Sequence, residues 1–421
     1  MKHIYTSIDL GTDSIKVVVC ELYKNKLNLL AASSEKSEGI KKGLITDVEK
    51  AKTSLKKAVS NVESMLGITL KQAIVSVPSY FLDCSMVKGT IDIPMSINEY
   101  DEACDGLIDG NDVSRVISEA MRSYDFRDRE MVAVLPIDFL VNQKDYVRDP
   151  KGLPGKTLGT RAMMVATPKK NIYSVVQLLS SIGIEVVDIS INAIGDAYAF
   201  KNREMDATVG AIVNIGSETT SVSLYNKGII VKHAMLQLGG KNIENDIAYI
   251  YKLKSDDARK LKEKFAFAHK NHASQYEVKE VTNVYGETVK VNQFEISEIV
   301  QSRLEEILTL AKKEICSLTS RNIDYVIVTG GTSNMANFNY IAKEVFGNIA
   351  KIGNVKLIGI RNNKYSSAVG NIAYFVSKLK LKGKEYTMVS SDMEEALVSV
   401  ESEAGSYDSM LGKVFGFFFS E

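Results

Sequence analysis

Two glycine turns of like design stand about half a chain apart, and both carry the residue types that hold an anion. The first reads Ser7-Ile8-Asp9-Leu10-Gly11-Thr12-Asp13-Ser14 with Lys16, and the second Ile212-Val213-Asn214-Ile215-Gly216-Ser217-Glu218-Thr219-Thr220. In each, an apolar strand places a carboxylate or amide just before an Xaa-Gly turn and resumes as an alternating strand (Ile15, Val17, Val19; Val222, Leu224). Glycine lets backbone N–H groups approach an anion closely, and neighbouring hydroxyls add donors. Gly11, Thr12, Asp13, Ser14 and Lys16 on one turn, facing Gly216, Ser217, Glu218 and Thr219 on the other, would clasp a polyphosphate. A third loop, Thr329-Gly330-Gly331-Thr332, leaves an apolar strand through two glycines, which allows a flat base or ribose to lie against the backbone.

The elements that must position these turns alternate between strand and helix. A first strand pair ends near Leu30. Gly43-Leu44-Ile45-Thr46-Asp47 then leads into a helix through Leu66, with Leu55, Val59, Val62 and Leu66 on one face. A strand over 73–77 is stopped by Pro78. From about 83 to 164 the texture changes to a strand over 88–94, a helix over 112–123 and a strand over 132–141, which together read as an inserted module. A helix over 172–182, a strand over 186–189 and a helix over 193–200 enter the second turn. Residues 240–321 are mostly helical and charged, with a hairpin near Tyr285-Gly286, and a strand over 325–328 and a helix over 368–379 close the chain. The order predicts a mixed α/β fold.

Composition narrows the chemistry. With 421 residues and 45 % hydrophobic content, the chain exceeds the roughly 250–300 residues of a single core, so two or more domains are expected. Lys+Arg and Asp+Glu balance at 52 each, which gives no global field to favour nucleic acid. Cys20, Cys84, Cys104 and Cys316 show neither CxxC nor metal spacing and suit free thiols in a reducing compartment. No secretory leader is evident at the N-terminus, and no apolar run reaches the roughly 18 residues of a spanning helix, so a cytoplasmic protein is expected.

Other chemistries lack support. His269 and His272 have no Cys or carboxylate at ligand spacing and read as solvent-facing. Gly155-Lys156-Thr157 resembles the end of a phosphate-binding P-loop, but Pro150 stands where its first glycine belongs. No GxSxG elbow is present.

The repeated strand–turn–strand hairpin resembles the phosphate motifs of the actin, sugar kinase and heat-shock chaperone ATPase superfamily. Within it the chain is similar to the FtsA family of bacterial cell-division proteins. Asp9-Leu10-Gly11-Thr12 with Lys16 matches the first phosphate motif, Asn214-Ile215-Gly216-Ser217 the second, Thr329-Gly330-Gly331-Thr332 the adenosine motif, and Ser366-Ser367-Ala368-Val369-Gly370 the second connecting helix. The inserted block, with Leu135-Pro136-Ile137-Asp138 and Asp149-Pro150-Lys151-Gly152-Leu153-Pro154-Gly155, resembles the subdomain that FtsA proteins carry in place of one actin subdomain. Gly239, Gly240 and Lys241 open a stretch that resembles the glycine pair and helix after the second hairpin.

This resemblance implies an actin-like ATPase fold, two ribonuclease-H-like domains flanking a nucleotide cleft. Subdomain 1A would take 1–84, 166–200 and 363–383; the inserted 1C, 85–165; 2A, 201–241 and 326–362; 2B, 242–325. A flexible linker over 384–408 and a membrane-targeting amphipathic helix over 409–421 would follow. The resemblance also implies ATP and Mg2+ as cofactors, with Asp9 and, through water, Asn214 facing the metal, Asn192 at the water-positioning place, and Gly239, Gly240, Lys241 and Lys262 among the nucleotide contacts.

Three departures from an efficient ATPase stand out. Asn214 brings no negative charge to the metal. Asn192 is shorter than the Gln of relatives and is no base. Arg259 takes the place of a carboxylate three residues before Lys262, and Lys262 is either a nucleotide contact or a solvated lysine on a charged helix. Slow hydrolysis at most is expected.

The C-terminus carries a second function. Met410, Leu411, Val414, Phe415, Phe417, Phe418 and Phe419 are apolar, while Ser409, Lys413, Gly416 and Ser420 leave one polar stripe at helical spacing. The segment is too short to span a bilayer but suits an interfacial helix, or a helix that docks in a groove of this protein or a partner. The resemblance favours the membrane. Each buried large side chain contributes roughly 1.5–3 kcal/mol against about 1–2 kcal/mol per residue of backbone ordering, so one copy binds weakly and assembly would supply avidity.

The resemblance thus implies an ATP-binding protein that forms a homopolymer and tethers the ring of the tubulin-like protein FtsZ to the inner face of the cytoplasmic membrane. Residues 242–325 would meet FtsZ, and the inserted block would meet neighbouring subunits or later division membrane proteins. The alternative is a metabolic kinase of the same fold, with Asp188 or Asp196 as the base.

Overall fold

The computed structural model describes residues 3–94, 106–390 and 393. The chain opens as an antiparallel meander of β1 (His3–Leu10), β2 (Ser14–Tyr23) and β3 (Lys26–Lys36), so three strands stand where a pair was expected. Nor does β2 alternate: Ser14 through Glu21 are all buried. Helices pack on the sheet they help form, which places this central strand in the core on both faces. A short hairpin, β4 (Ile40–Lys41) and β5 (Leu44–Ile45), leads to α1 (Val48–Leu66). Asp47 caps α1 by accepting from the Lys50 amide at 3.1 Å, and Gly67 ends it at φ 67°, where a glycine is at ease. The strand β6 (Gln72–Ser76) then lies parallel to β1.

The inserted module has its own sheet. It comprises β7 (Asp83–Asp92), α2 (Gly110–Met121), β8 (Arg129–Val141), β9 (Asp145–Val147) and β10 (Thr157–Pro168), in the order β7-β10-β8-β9. The sequence reading missed β10, which pairs with β7 on one side and β8 on the other. Gly159, Thr160 and Arg161 interrupt its apolar run, and cross-strand pairing overrides that weak local signal. Ile108, Val113, Val116, Phe139 and Leu158 form a small core beneath α2.

After the insertion come α3 (Lys169–Ser180) and β11 (Glu185–Ser190), which completes the sheet β11-β6-β1-β2-β3. Then α4 (Asn192–Phe200) and α5 (Arg203–Ala207) reach the second half. There β12 (Val209–Ile215), β13 (Thr220–Asn226) and β14 (Ile229–Leu236) form another meander. The helices α6 (Gly240–Tyr251) and α7 (Ser255–Lys264), the hairpin β15 (Val278–Thr282) and β16 (Thr288–Asn292), and α8 (Gln293–Leu318) follow. Finally β17 (Tyr325–Thr329), α9 (Phe338–Phe346), β18 (Ala350–Ile352) and α10 (Ser366–Leu381) close the fold. The second sheet, β14-β13-β12-β17-β18, repeats the first: three antiparallel strands, then two more parallel to the meander's first strand. One large core surrounds the first sheet and reaches one face of the second through Ile212, Tyr225 and Ile327, another fills the second sheet's other face, and α10 crosses α4 between the halves.

Two further readings change. His269 is buried rather than solvent-facing, its Nε2 lying 2.9 Å from Glu344 Oε1, while exposed His272 stacks on Tyr340. The expected linker begins later than residue 384, because Tyr386 to Val389 run along β1: the Met388 amide donates to the Ile4 carbonyl at 2.9 Å, and Met388 and Val389 are buried. The amphipathic segment 409–421, with Met410, Leu411, Val414, Phe415, Phe417, Phe418 and Phe419, lies outside the described residues.

Candidate functional site

Both glycine turns and the third loop open onto one cavity of about 780 Å³ between the two sheets, a volume suited to a small-molecule ligand. Leu10 pairs with Ile15 and Ile215 with Thr220, so the two hairpins close with loops of equal length, 11–14 and 216–219. The residue before each Xaa-Gly faces a partner across its hairpin, Asp9 opposite Lys16 and Asn214 opposite Ser221. Asp9 and Lys16 are both buried and in contact, Nζ to Oδ2 at 3.1 Å. A buried ion pair at the floor of a cavity keeps a cation and a carboxylate in fixed places for a ligand that needs both.

Of the residues singled out from sequence, Asp9, Gly11, Thr12, Asp13, Ser14, Lys16, Asn192, Asn214, Gly216, Ser217, Thr219, Lys262, Gly330, Gly331 and Thr332 line the cavity. Glu218, Gly239, Gly240 and Lys241 stand behind it. A Cβ on Gly239 would come 2.5 Å from the Ser217 carbonyl oxygen, so this glycine is needed for the close packing of α6 against the second turn. The Glu218 carboxylate accepts from Lys241 Nζ at 2.8 Å and from the Lys42 amide at 2.9 Å, and these donors hold its pKa below the usual carboxylate value despite burial. Gly330 combines φ 93° with an approach that a side chain would block, 2.4 Å from the Ile215 carbonyl oxygen.

Lys262 is not a solvated lysine. It is buried and donates to Glu244 Oε1 at 2.5 Å, tying α7 to α6. Arg259, one turn earlier, reaches across the cavity to Asp13 with two bonds of 2.6 and 2.7 Å. The lining carries seven Lys or Arg against five Asp or Glu, a local excess that the balanced composition concealed and that suits a polyphosphate.

Sequence reasoning also missed Asp196 as the support of Asn214. Fully buried, it accepts from Asn214 Nδ2 at 2.6 Å, Ser366 Oγ at 2.6 Å and Ser367 Oγ at 2.8 Å. Burial pushes its pKa up to about 6, the three donors oppose that rise, and nearby Asp9 adds to it. The carboxylate anchors the amide nitrogen of Asn214, leaving Oδ1 toward Gly330. Its signal in sequence was the pairing of an Asp on α4 with Ser366-Ser367 opening α10. Asn334 and Asn363, which knit the third loop to 362–363, carried no such signal.

These contacts weigh against a kinase base. Asp196 does not line the cavity, and Asp188 is bound to Lys378 away from it. For a metal, the donor set is Asp9 and the Oδ1 of Asn214. One carboxylate completed by phosphate and water oxygens is how Mg2+ usually binds, so the residues fit that ion together with a nucleotide.

Comparison with known proteins agrees with this architecture. Residues 211–370 match the family described as "Cell division protein FtsA", and residues 90–166 match "SHS2 domain inserted in FTSA"; together they cover more than half of the chain. The cell division protein FtsA of Bacillus subtilis is 27 % identical over 401 residues, 94 % of this chain and 89 % of that one. Its Streptococcus pneumoniae counterpart is 28 % identical over 384 residues, 89 % and 80 % of the two chains. Among solved structures, a PilM-PilN type IV pilus biogenesis complex aligns with TM-score 0.57 at 15 % identity, covering 88 % of this chain and 98 % of that one. MreB5 of Spiroplasma citri bound to ADP aligns with TM-score 0.56 at 14 % identity, covering 90 % and 98 %. The fold is actin-like, with an FtsA-type insertion.

Proposed function

The chain belongs to the FtsA family of cell-division proteins, and on that premise we propose that it binds ATP in the cleft, polymerises, and tethers the FtsZ ring to the inner face of the cytoplasmic membrane. The observation that carries the reading is the convergence of two like phosphate turns and a glycine loop on one cationic cavity between two like sheets. Backbone N–H groups of Gly11 to Ser14 and Ser217 to Thr219 take the phosphates, while the Gly216 amide closes its own turn on the Thr219 carbonyl, and Lys16 adds charge. Gly330, Gly331 and Thr332 accept the nucleoside, and Lys262 stands beside it. Bound Mg2+, held by Asp9 and, through water, by Asn214, would neutralise phosphate charge.

Turnover is slow in this reading. Asn192 opens α4 at the cavity wall and offers an amide where a base would be needed, and Asn214 brings no charge of its own. Purified protein with Mg-ATP is expected to hydrolyse far below the roughly 1–100 per second of kinases. Rates inside that range defeat the reading.

The division of labour follows the family. Residues 242–325 contact FtsZ, the inserted module over 85–165 contacts neighbouring subunits or later division membrane proteins, and 409–421 anchors the polymer. Among the described residues no helix is long and apolar enough to cross a membrane. Co-sedimentation with liposomes in ATP is expected to collapse to background when 409–421 is deleted, and FtsZ is expected to pellet with liposomes only through the intact protein. Equal pelleting with and without the tail refutes the anchor.

A further inference from the structure

The proposed cleft is bridged by a side-chain pair that phosphate binding alone does not require. Asp13 lies in the first phosphate turn, which its own carbonyl fixes by accepting from the Ser37 amide at 2.9 Å. Arg259 belongs to α7 in the opposite half. Its NH1 and NH2 donate to the two Asp13 oxygens at 2.6 and 2.7 Å, a forked geometry that a guanidinium can make and an ammonium cannot. The fork is held ready by Glu263, one helical turn on, which accepts from Arg259 Nε at 3.0 Å. Below, the buried Lys262–Glu244 bond fastens α7 to α6, so the guanidinium projects from a rigid base.

A second bridge runs in parallel. Thr12 Oγ1 accepts from the Gly43 amide at 2.8 Å, and the neighbouring Lys42 amide donates to Glu218 of the second turn at 2.9 Å. The hairpin of β4 and β5 thereby joins one phosphate turn to the other. This second link runs from backbone amides to the Thr12 hydroxyl and the Glu218 carboxylate. The Asp13–Arg259 link is ionic, with the Asp13 side chain 36 % and the Arg259 side chain 32 % exposed, so water and salt reach it.

We propose that Asp13 and Arg259 form a strap across the cleft that must open for nucleotide to leave, making Arg259 the positioning residue that sets nucleotide residence. The inference rests on ATP binding in this cleft. The carboxylate of Asp13 repels a polyphosphate, and its engagement with Arg259 neutralises that charge while both domains stay joined around the ligand.

The experiment is stopped-flow release of a fluorescent N-methylanthraniloyl-ATP from the full chain, chased with unlabelled ATP. Arg259→Ala and Asp13→Asn are each expected to release it about three- to fivefold faster than wild type, the upper scale of one partly exposed, well-formed ion pair. Their double variant should release it no faster than either single. Arg259→Lys, which keeps charge but loses the fork, should fall between wild type and Arg259→Ala. Raising salt should speed release from wild type by a larger factor than from Arg259→Ala, whose only salt dependence is that of the cationic cavity itself. Unaltered release in both single variants, or additive effects in the double, overturns the strap while nucleotide binding stands. Failure of wild type to bind the probe at all removes the nucleotide reading and the strap with it.

Discussion

Gly370→Ala is expected to cost about 3–5 kcal/mol of folding stability, the upper range for overpacking. A Cβ at Gly370 would stand 1.7 Å from the carbonyl oxygen of Gly195 and 2.9 Å from the Ala199 amide. Gly195 is equally closed, since its own Cβ would meet the Ser367 carbonyl oxygen at 2.4 Å. Here α4 and α10 touch backbone to backbone, so no side chain can turn aside to make room. Alanine's better helix propensity returns only about 1 kcal/mol. The damage should extend beyond stability, because Ser366 and Ser367 on α10 hold Asp196 on α4 across this same crossing. Gly331→Ala is the control: nothing lies within 4 Å of its added Cβ, and its melting temperature should match wild type. Chemical denaturation of the three proteins checks the claim, and a Gly370→Ala midpoint within error of wild type would falsify it.

The same crossing shows what could and could not be read from the chain. Ser366 to Gly370 was recognisable as a connecting-helix motif, and the strand before each turn was legible because both turns carry the same local grammar of apolar strand, polar residue and glycine. That grammar is written within about ten residues and needs no tertiary partner. The strand β10 and the buried character of β2 were not legible for the opposite reason. Their residues take meaning from neighbours far along the chain: β10 from β7 and β8 on either side, β2 from helices that return to cover it.

At the site, the turns that hold a ligand were visible, whereas the residues that hold those turns were not. Asp13 and Glu218 read as phosphate-loop residues, yet their carboxylates are engaged by Arg259, Lys241 and the Lys42 amide. Arg259 stood out only as a departure from pattern, and 246 positions separate it from its partner. Burial likewise redefines His269, placed in a stretch so charged that solvent was the natural expectation, and removes the solvated alternative for Lys262. Net charge behaved in the same way, because a balanced total carries no information about which side chains the fold gathers around one cavity.

Asp196→Asn should change the pH dependence of stability by about 2 kcal/mol between pH 4 and 7. The folded-state pKa of Asp196 is raised to about 6 from 3.8, chiefly by burial. Between those values the folded chain holds a proton that the unfolded chain has released, so wild-type stability falls as pH rises, and above about 6 the full cost of a buried carboxylate is present. Asparagine has no such titration. The variant should therefore gain on wild type as pH rises from 4 to 7, measured by urea unfolding at both ends. The same substitution should weaken Mg-dependent nucleotide binding about tenfold, the usual scale for losing a group that orients a metal-facing ligand. Asn214 donates its amide nitrogen to Asp196, and an asparagine that also supports Ser366 and Ser367 with its oxygen would present nitrogen to nitrogen. Asn214 must then turn its amide over, which moves the oxygen away from its place beside Gly330. A stability gain paired with an affinity loss separates this charge from an ordinary packing residue, for which both would fall together. Parallel pH curves for the two proteins would show that Asp196 stays ionised at low pH and that its burial is fully offset by its three donors.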